Sequence, residues 1–394
     1  MSGNRRWVVP ALVLAAVFAF ALSACGSSDS DSSSSTTSSE STSGGESSSG
    51  GDSLAAAESQ VEEAYAGRYT EPSSKPSPAA KGKDVWFISA GQASPNAAEL
   101  WNGVKEAGEK IGWNISLFDA KLDPSKFPEG IRQAVASGAD GMVSMVDCGV
   151  AKSAYEAARK AGVASVTIVA FDCDETEPGA EALTSAPISL GDRYSGWPDA
   201  YQAWGSDLAA WTIAQSEGEA NVINATNEEF ALINNLGMGY AARMEECAEC
   251  EVTSMPWTVS EAGAKLAAKV QATILREPEA NALQDSANPQ LGMSQGVVQS
   301  GKAGEIKVVG GLGLPEDIAL LKEEGKGLDG LAAWPINWMS WAAVDTLNSV
   351  FNEAEPEDSG LGWQMIDLEH NLPSGDDFEP EVDYKAVYTK RWGQ

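Results

Sequence analysis

Histidine is nearly absent from this chain. His370 is the only one in 394 residues, and it lies in a C-terminal stretch rich in Pro and Asp. That shortage leaves no credible Ser-His-Asp arrangement for nucleophilic hydrolysis. Basic residues are scarce too: 26 Lys and Arg stand against 57 Asp and Glu, for a formal net charge of −31. A nucleic-acid binder needs a basic footprint, which is missing here. A field of this sign also steers neither anionic solutes nor an anionic membrane surface toward the chain. No GxxxxGK[ST] occurs, since EEGKG and QSGKAG lack the pattern, so ATP hydrolysis must belong to another polypeptide. The acidic run Asp172-Cys173-Asp174-Glu175 lacks the EF-hand spacing and reads as a solvated loop. Nothing points to paired carboxylates for glycoside hydrolysis. No enzyme activity, metal or cofactor is expected.

Cysteine is sparse, with five residues, and their placement is informative. Arg5 and Arg6 precede an apolar run from Trp7 to Leu22, broken only by Pro10. A basic start, a short hydrophobic core and small residues before a cut site mark an export signal, residues 1–24. Its end, Leu22-Ser23-Ala24-Cys25, resembles a bacterial lipobox. That resemblance implies that Cys25 is diacylated and becomes the mature N-terminus; two acyl chains suffice for stable anchoring. The competing reading is an uncleaved membrane helix, because Trp7 to Ala24 is nearly long enough to span a bilayer. Residues 26–53 carry no large apolar side chain. Such a segment cannot offset its ordering entropy, so 25–53 is expected to be a disordered tether reaching roughly 30 Å.

The other four cysteines suit disulfides in an exported chain. Cys247-Ala-Glu-Cys250 has no second CxxC to complete a zinc site, so a local disulfide is the better reading. Cys148 and Cys173 each follow a predicted strand, which allows Cys148–Cys173 beside Cys247–Cys250, although three pairings are formally possible.

The remaining length exceeds one compact core and suggests two lobes. Residues 54–82 read as an N-terminal helix followed by a Pro/Ser/Lys-rich connector. From residue 84, apolar runs alternate with helical patterns. VWFIS (85–89) precedes PNAAELWNGVKEAGEKIG (95–112), in which Leu100, Val104, Ala107 and Ile111 share one face and Gly112 closes the helix. Strands follow at 114–120, 141–146 and 165–171. A second series places strands at 220–225, 252–257, 282–285 and 306–311, again separated by helices. The fold class is therefore α/β, with two Rossmann-like lobes, each a parallel sheet flanked by helices. Ligands of such sheets sit at the carboxyl ends of strands.

The stretch PNAAELWNGVKEAGEKIGWNISLFDAKLDPSKFPEGIRQAVASGADGMVSMVD (95–147) resembles the type 1 periplasmic-binding-protein family, specifically the ribose-binding-like solute receptors of ABC importers. The Asp119-to-Pro124 turn, KAGVASVTIVAFD (160–172), ANVINAT (220–226), VVGG (308–311) and GKGLDGLAAWP (325–335) extend the likeness over about 84–370. The resemblance implies three lobe crossings, near 190–193, 331–335 and 361–368. Lobe 1 would then comprise 83–191 plus about 334–361, and lobe 2 192–333 plus about 362–394. It further implies a monomer on the outer face of the cytoplasmic membrane, working with permease and ATPase subunits and closing on a small-molecule solute, a sugar or polyol first.

Three positions depart from that pattern. Ser94-Pro95-Asn96-Ala97 stands where sugar receptors of this family carry aromatics, Leu312 where an aspartate is usual, and Asn234 where an arginine is usual. Lost charge in a buried cleft implies a solute with fewer ionic demands, so an aromatic or other non-carbohydrate ligand is the alternative. A surface ligand sensor is another. Trp257, at a strand end, and Trp334, at a predicted crossing, are candidates to stack on the solute, against simple packing beside a hinge. Polar candidates on strand-end loops are Gln92, Ser94, Asn96, Asp147, Asp172, Asn227, Glu228, Asn234 and Asn288, for each of which a turn or cap role competes.

Overall fold

The computed structural model describes residues 49–394 apart from Asn288. The signal, Cys25 and most of the tether therefore lie outside the described residues. Strands β1 (Asp84–Ser89), β2 (Asn114–Asp119), β3 (Gly141–Ser144) and β4 (Ala164–Thr167) form one parallel sheet in the order β2-β1-β3-β4. Helices α2 (Pro95–Ile111), α3 (Phe127–Ser137) and α4 (Cys148–Ala161) connect them, and α2 buries Leu100, Val104, Ala107 and Ile111 along its inner face. Gly112 ends α2 in the left-handed region, at φ 91°. β4 is shorter than the apolar run suggests. The chain leaves the sheet after Thr167 and turns at Val169, whose φ is 49°.

The second sheet runs β10-β9-β8-β7-β5-β6, with β5 (Asn221–Thr226), β6 (Glu251–Pro256), β7 (Ala282–Gln284), β8 (Lys307–Val309), β9 (Gly330–Ala333) and β10 (Gln364–Asp367). All pairs are parallel except β9–β10. After the short α5 (Cys173–Thr176), α6 (Trp197–Gln215) and α7 (Ala231–Met244) cover one face; α8 (Ala264–Arg276), α9 (Met293–Ser300) and α10 (Pro315–Lys322) follow. The cysteines are joined as Cys148–Cys173 and Cys247–Cys250.

Helices α6 and α7 touch through glycine. A Cβ on Gly205 would lie 2.1 Å from the Leu236 carbonyl oxygen, and one on Gly239 would lie 2.0 Å from that of Gln202. No side-chain rotation relieves a clash with backbone. Gly239→Ala is therefore expected to cost about 3 kcal/mol, the upper end for overpacking, read as a lower denaturant midpoint.

The chain passes between lobes more often than the expected three times: among the described residues there are five crossings. Helix α1 (Ser49–Ala66) packs on α6 and β10 of lobe 2. The connector 67–82 then runs along the hinge segment. The Arg68, Thr70 and Ser73 N–H groups donate to the carbonyls of Trp363, Gly360 and Asp358, at 2.7, 2.8 and 2.9 Å. It is held at the lobe 2 end by the Arg68 guanidinium, which grips the buried Asp207 carboxylate at 3.0 Å from both Nε and Nη2. On lobe 1, Ala80 N–H donates to Asn348 Oδ1 at 2.9 Å.

The tail differs from the expectation as well. Helix α11 (Ile336–Phe351) packs on α2, β3 and β4 of lobe 1, and β10 joins the lobe 2 sheet. Residues 362–394 do not all stay with lobe 2, however. Helix α12 (Tyr384–Arg391) returns to α11, where Tyr384 stacks on Trp338 and Trp392 stacks on Trp341. Arg391 Nε also donates to the buried Asp345, at 3.0 Å. Aromatic area of this kind outweighs sheet membership for so short a helix.

Candidate functional site

The carboxyl ends of β1 to β4 face those of β5, β7 and β8 across a partly open space of about 120 Å³. Lobe 1 lines it with Ala90, Ala97, Leu122, Met145 and Val169, plus the polar side chains Ser94 and Asn96. Lobe 2 supplies Phe230, Leu232, Ile233, Ala287 and Leu312. Three of these residues hold left-handed backbone: Leu122 at φ 59°, Val169 at 49° and Ala287 at 60°. Left-handed geometry costs an L residue about 1–2 kcal/mol, more for β-branched Val, and such strain concentrates where a site must be shaped.

Carboxyls withdrawn from solvent also follow strands of both sheets, although none of them lines this space. Asp147, after β3, accepts the Phe171 N–H at 2.8 Å. Burial pushes its pKa up to about 6, against the pull of the N–H groups of Phe171 and of Ala231, the first residue of α7 in lobe 2. One lobe 1 carboxylate thus faces the positive end of a lobe 2 helix. Asp285, after β7, accepts N–H bonds from Ala287 at 2.9 Å and Gly311 at 3.2 Å through Oδ1. Its Oδ2 has no partner among the described residues, and burial beside Asp317 raises its pKa well above the ordinary range. Gly310 is required there, because a Cβ would fall 1.5 Å from Asp285 Oδ1. Asp317 accepts from the N–H groups of Leu312, Gly313 and Leu314, and burial lifts it to about 6.

Of the residues singled out from sequence, Ser94 and Asn96 line the space, and Asn96 Oδ1 is buried without a hydrogen-bond partner among the described residues. The other described candidates do not line it. Gln92 Nε2 donates to Ser89 Oγ and the Ala97 carbonyl, pinning its own loop. Asp172 is saturated: it accepts from the N–H groups of Cys173, Leu183 and Thr184 and from the Thr184 hydroxyl. Asn227 is buried, and its Oδ1 accepts the Glu229 N–H at 2.7 Å. Asn234 lies half-exposed on α7. Trp257 belongs to the lobe 2 core and donates to Ser286 Oγ at 3.0 Å. Trp334 sits at the centre of a hinge cluster, with ring centroids 5.0 Å from Trp363, 5.6 Å from Tyr201, 5.9 Å from Trp197 and 6.0 Å from Trp204. Asn288 lies outside the described residues.

Cys148, Asp172 and Cys173 bring ligand-type atoms together, but the two sulfurs are joined to each other and the carboxylate is already filled by donors. That cluster is a structural knot rather than a cation site. The apolar wall was largely invisible in the sequence, because Leu122 and Ala287 sit in loops where no periodicity marks them and Val169 reads as part of a strand that ends at Thr167. Leu312 alone carried a signal, as an apolar residue at a position where a carboxylate was expected.

Two α/β lobes whose strand tips converge on a shared space are the architecture of a binding protein. The family profile described as "Periplasmic binding protein domain" matches residues 85–355, and the chain belongs to that family. Solved structures share the fold. An ABC transporter solute-binding protein from Agrobacterium vitis bound with α-D-tagatopyranose is 18% identical, with TM-score 0.63, covering 73% of this chain and 95% of that one. One from Burkholderia graminis in complex with D-arabinose is 19% identical, with TM-score 0.63 and coverage of 75% and 98%. One from Mycobacterium smegmatis with bound glycerol is 17% identical, with TM-score 0.61 and coverage of 76% and 100%. No curated protein matches by sequence.

Proposed function

We propose that this chain is the solute-binding lipoprotein of an ABC importer, anchored through Cys25 on the outer face of the cytoplasmic membrane. It captures a small uncharged solute between its lobes and presents it to a permease driven by a separate ATPase. The observation that carries this reading is the partly open space at the converging strand tips, lined by residues of both lobes. Closure of a hinge around such a space buries a guest without any chemistry on it. The ligands named for the structural neighbours are sugars and a polyol, so that class is the first to test. A second reading keeps the transport role with a less hydroxylated solute, and the apolar wall favours it.

Calorimetric titration of the purified chain with sugars, polyols and small alcohols tests the receptor role; saturable one-to-one binding of any of them supports it, and none across the panel ends it. Anchoring is tested separately in the producing cell by labelling with radioactive palmitate. The wild type should incorporate label into the membrane fraction, and Cys25→Ala should abolish incorporation; equal labelling of the two would refute acylation at Cys25.

A further inference from the structure

The composition of the cavity wall narrows the solute further, granted the receptor reading above. Among the described residues, ten of its twelve lining residues are apolar and none is charged. Among the described residues, Ser94 and Asn96 are its only polar side chains, and Asn96 Oδ1 is a buried acceptor left without a donor. We propose that the solute is a compact, largely apolar ring compound carrying a single hydroxyl, its O–H donated to Asn96 Oδ1, and not a polyhydroxylated sugar.

The chemistry of the wall decides this more than its size. A hexose ring presents four or five hydroxyls, whereas this wall offers two polar side chains. Every hydroxyl buried without a partner forfeits its hydrogen bonds to water, which weakens binding by roughly tenfold to a hundredfold per group. A ring bearing one hydroxyl escapes that penalty and gains from apolar contact over the rest of its surface. Volume sets an upper bound on size: the space, about 120 Å³, is smaller than the apolar cavity of about 150 Å³ that holds benzene, so only a compact solute suits it. The strained backbone fits the same picture. Leu122, Val169 and Ala287 adopt left-handed geometry and line the space with aliphatic groups. The buried polar side chains of Asn224 and Gln284, neighbours in the β5–β7 register, do not line the space.

Cyclohexanol and myo-inositol form a matched pair of probes, since both have a six-carbon ring and they differ in bearing one hydroxyl or six. Titrated into the full chain by calorimetry, cyclohexanol should bind at least tenfold more tightly than myo-inositol, D-arabinose or glycerol. Asn96→Leu should weaken cyclohexanol about tenfold, with the melting temperature reporting that the variant is folded. Leu312→Asp, which places a carboxylate on the wall, should weaken it at least as much. Tighter binding of myo-inositol or a sugar would overturn the ligand class while leaving the receptor role intact. Binding of neither class would overturn both. Cyclohexanol binding that is unaffected by Asn96→Leu and Leu312→Asp would remove it from this cavity and overturn the assignment.

Discussion

Acidification from pH 7.5 to pH 5 should raise the melting temperature of this protein rather than lower it. Burial lifts Asp147 and Asp317 from an ordinary value of 3.8 to about 6, and Asp285 well above its ordinary value. Glu99 is pushed up to about 7, first by burial and then by Asp377, Glu379 and Glu316. A carboxyl whose folded pKa is raised binds its proton more tightly in the folded state. Stability therefore increases as pH falls through the folded value, and the gain is complete only below the unfolded one. Between pH 7.5 and 5, Asp147 and Asp317 each take up most of a proton in the folded state, and each adds on the order of 1 kcal/mol. Relief of self-repulsion in a chain of net charge −31 has the same sign. The carboxylates held low, Asp367, Asp123, Glu261 and Glu357, act in the opposite direction, but only once pH falls toward their depressed values. A calorimetric scan should show a gain of about 5 °C. Asp147→Asn should raise the melting temperature at pH 7.5 and flatten the pH slope. A wild-type melting temperature that falls steadily from pH 7.5 to 5 would contradict the account.

Trp334→Ala should lose about 3–5 kcal/mol of folding stability, the cost of emptying a buried tryptophan site. The indole touches Trp197, Tyr201, Trp204 and Trp363, which reach it from α6 and from the hinge segment before β10. No single neighbour can collapse into the gap without dragging the others. Trp334→Phe is the instructive companion. Indole Nε1 is buried with no hydrogen-bond partner among the described residues, so phenylalanine keeps most of the packing and sheds an unpaired donor. Its cost should stay below about 1.5 kcal/mol. Urea denaturation of both variants separates packing from polarity. A loss under 1 kcal/mol for the alanine variant would mean that the cluster does not hold the hinge.

The sheet order and the helix faces were legible because they follow from periodicity. Leu100, Val104, Ala107 and Ile111 announce a buried stripe, and Gly112 announces its end. Trp334 illustrates what was not legible. An aromatic at a predicted crossing suits either a guest or a hinge core, and only the rings around it decide. Asp172 was similarly ambiguous, because a carboxylate at a strand end looks the same in sequence whether it awaits a ligand or already holds Leu183 and Thr184. Much of the actual wall, such as Leu122, Val169, Ala287 and Leu312, lies on loops after the strands, where neither alternation nor charge marks a residue as facing a guest. Leu312 stood out only against the pattern of the resembling family.

The connector 67–82 and the 368–383 tail add two ribbons to the three that such receptors were expected to have. The first is bonded along the segment before β10, and the second is anchored at its far end by stacked aromatics. Swinging the lobes apart must flex all five together, so the mouth should gape through a narrower angle than a three-ribbon pivot permits. A cargo that is small and needs little clearance would pass such an entrance readily, whereas a branched or oligomeric one would be turned away at the rim before any contact within could select it.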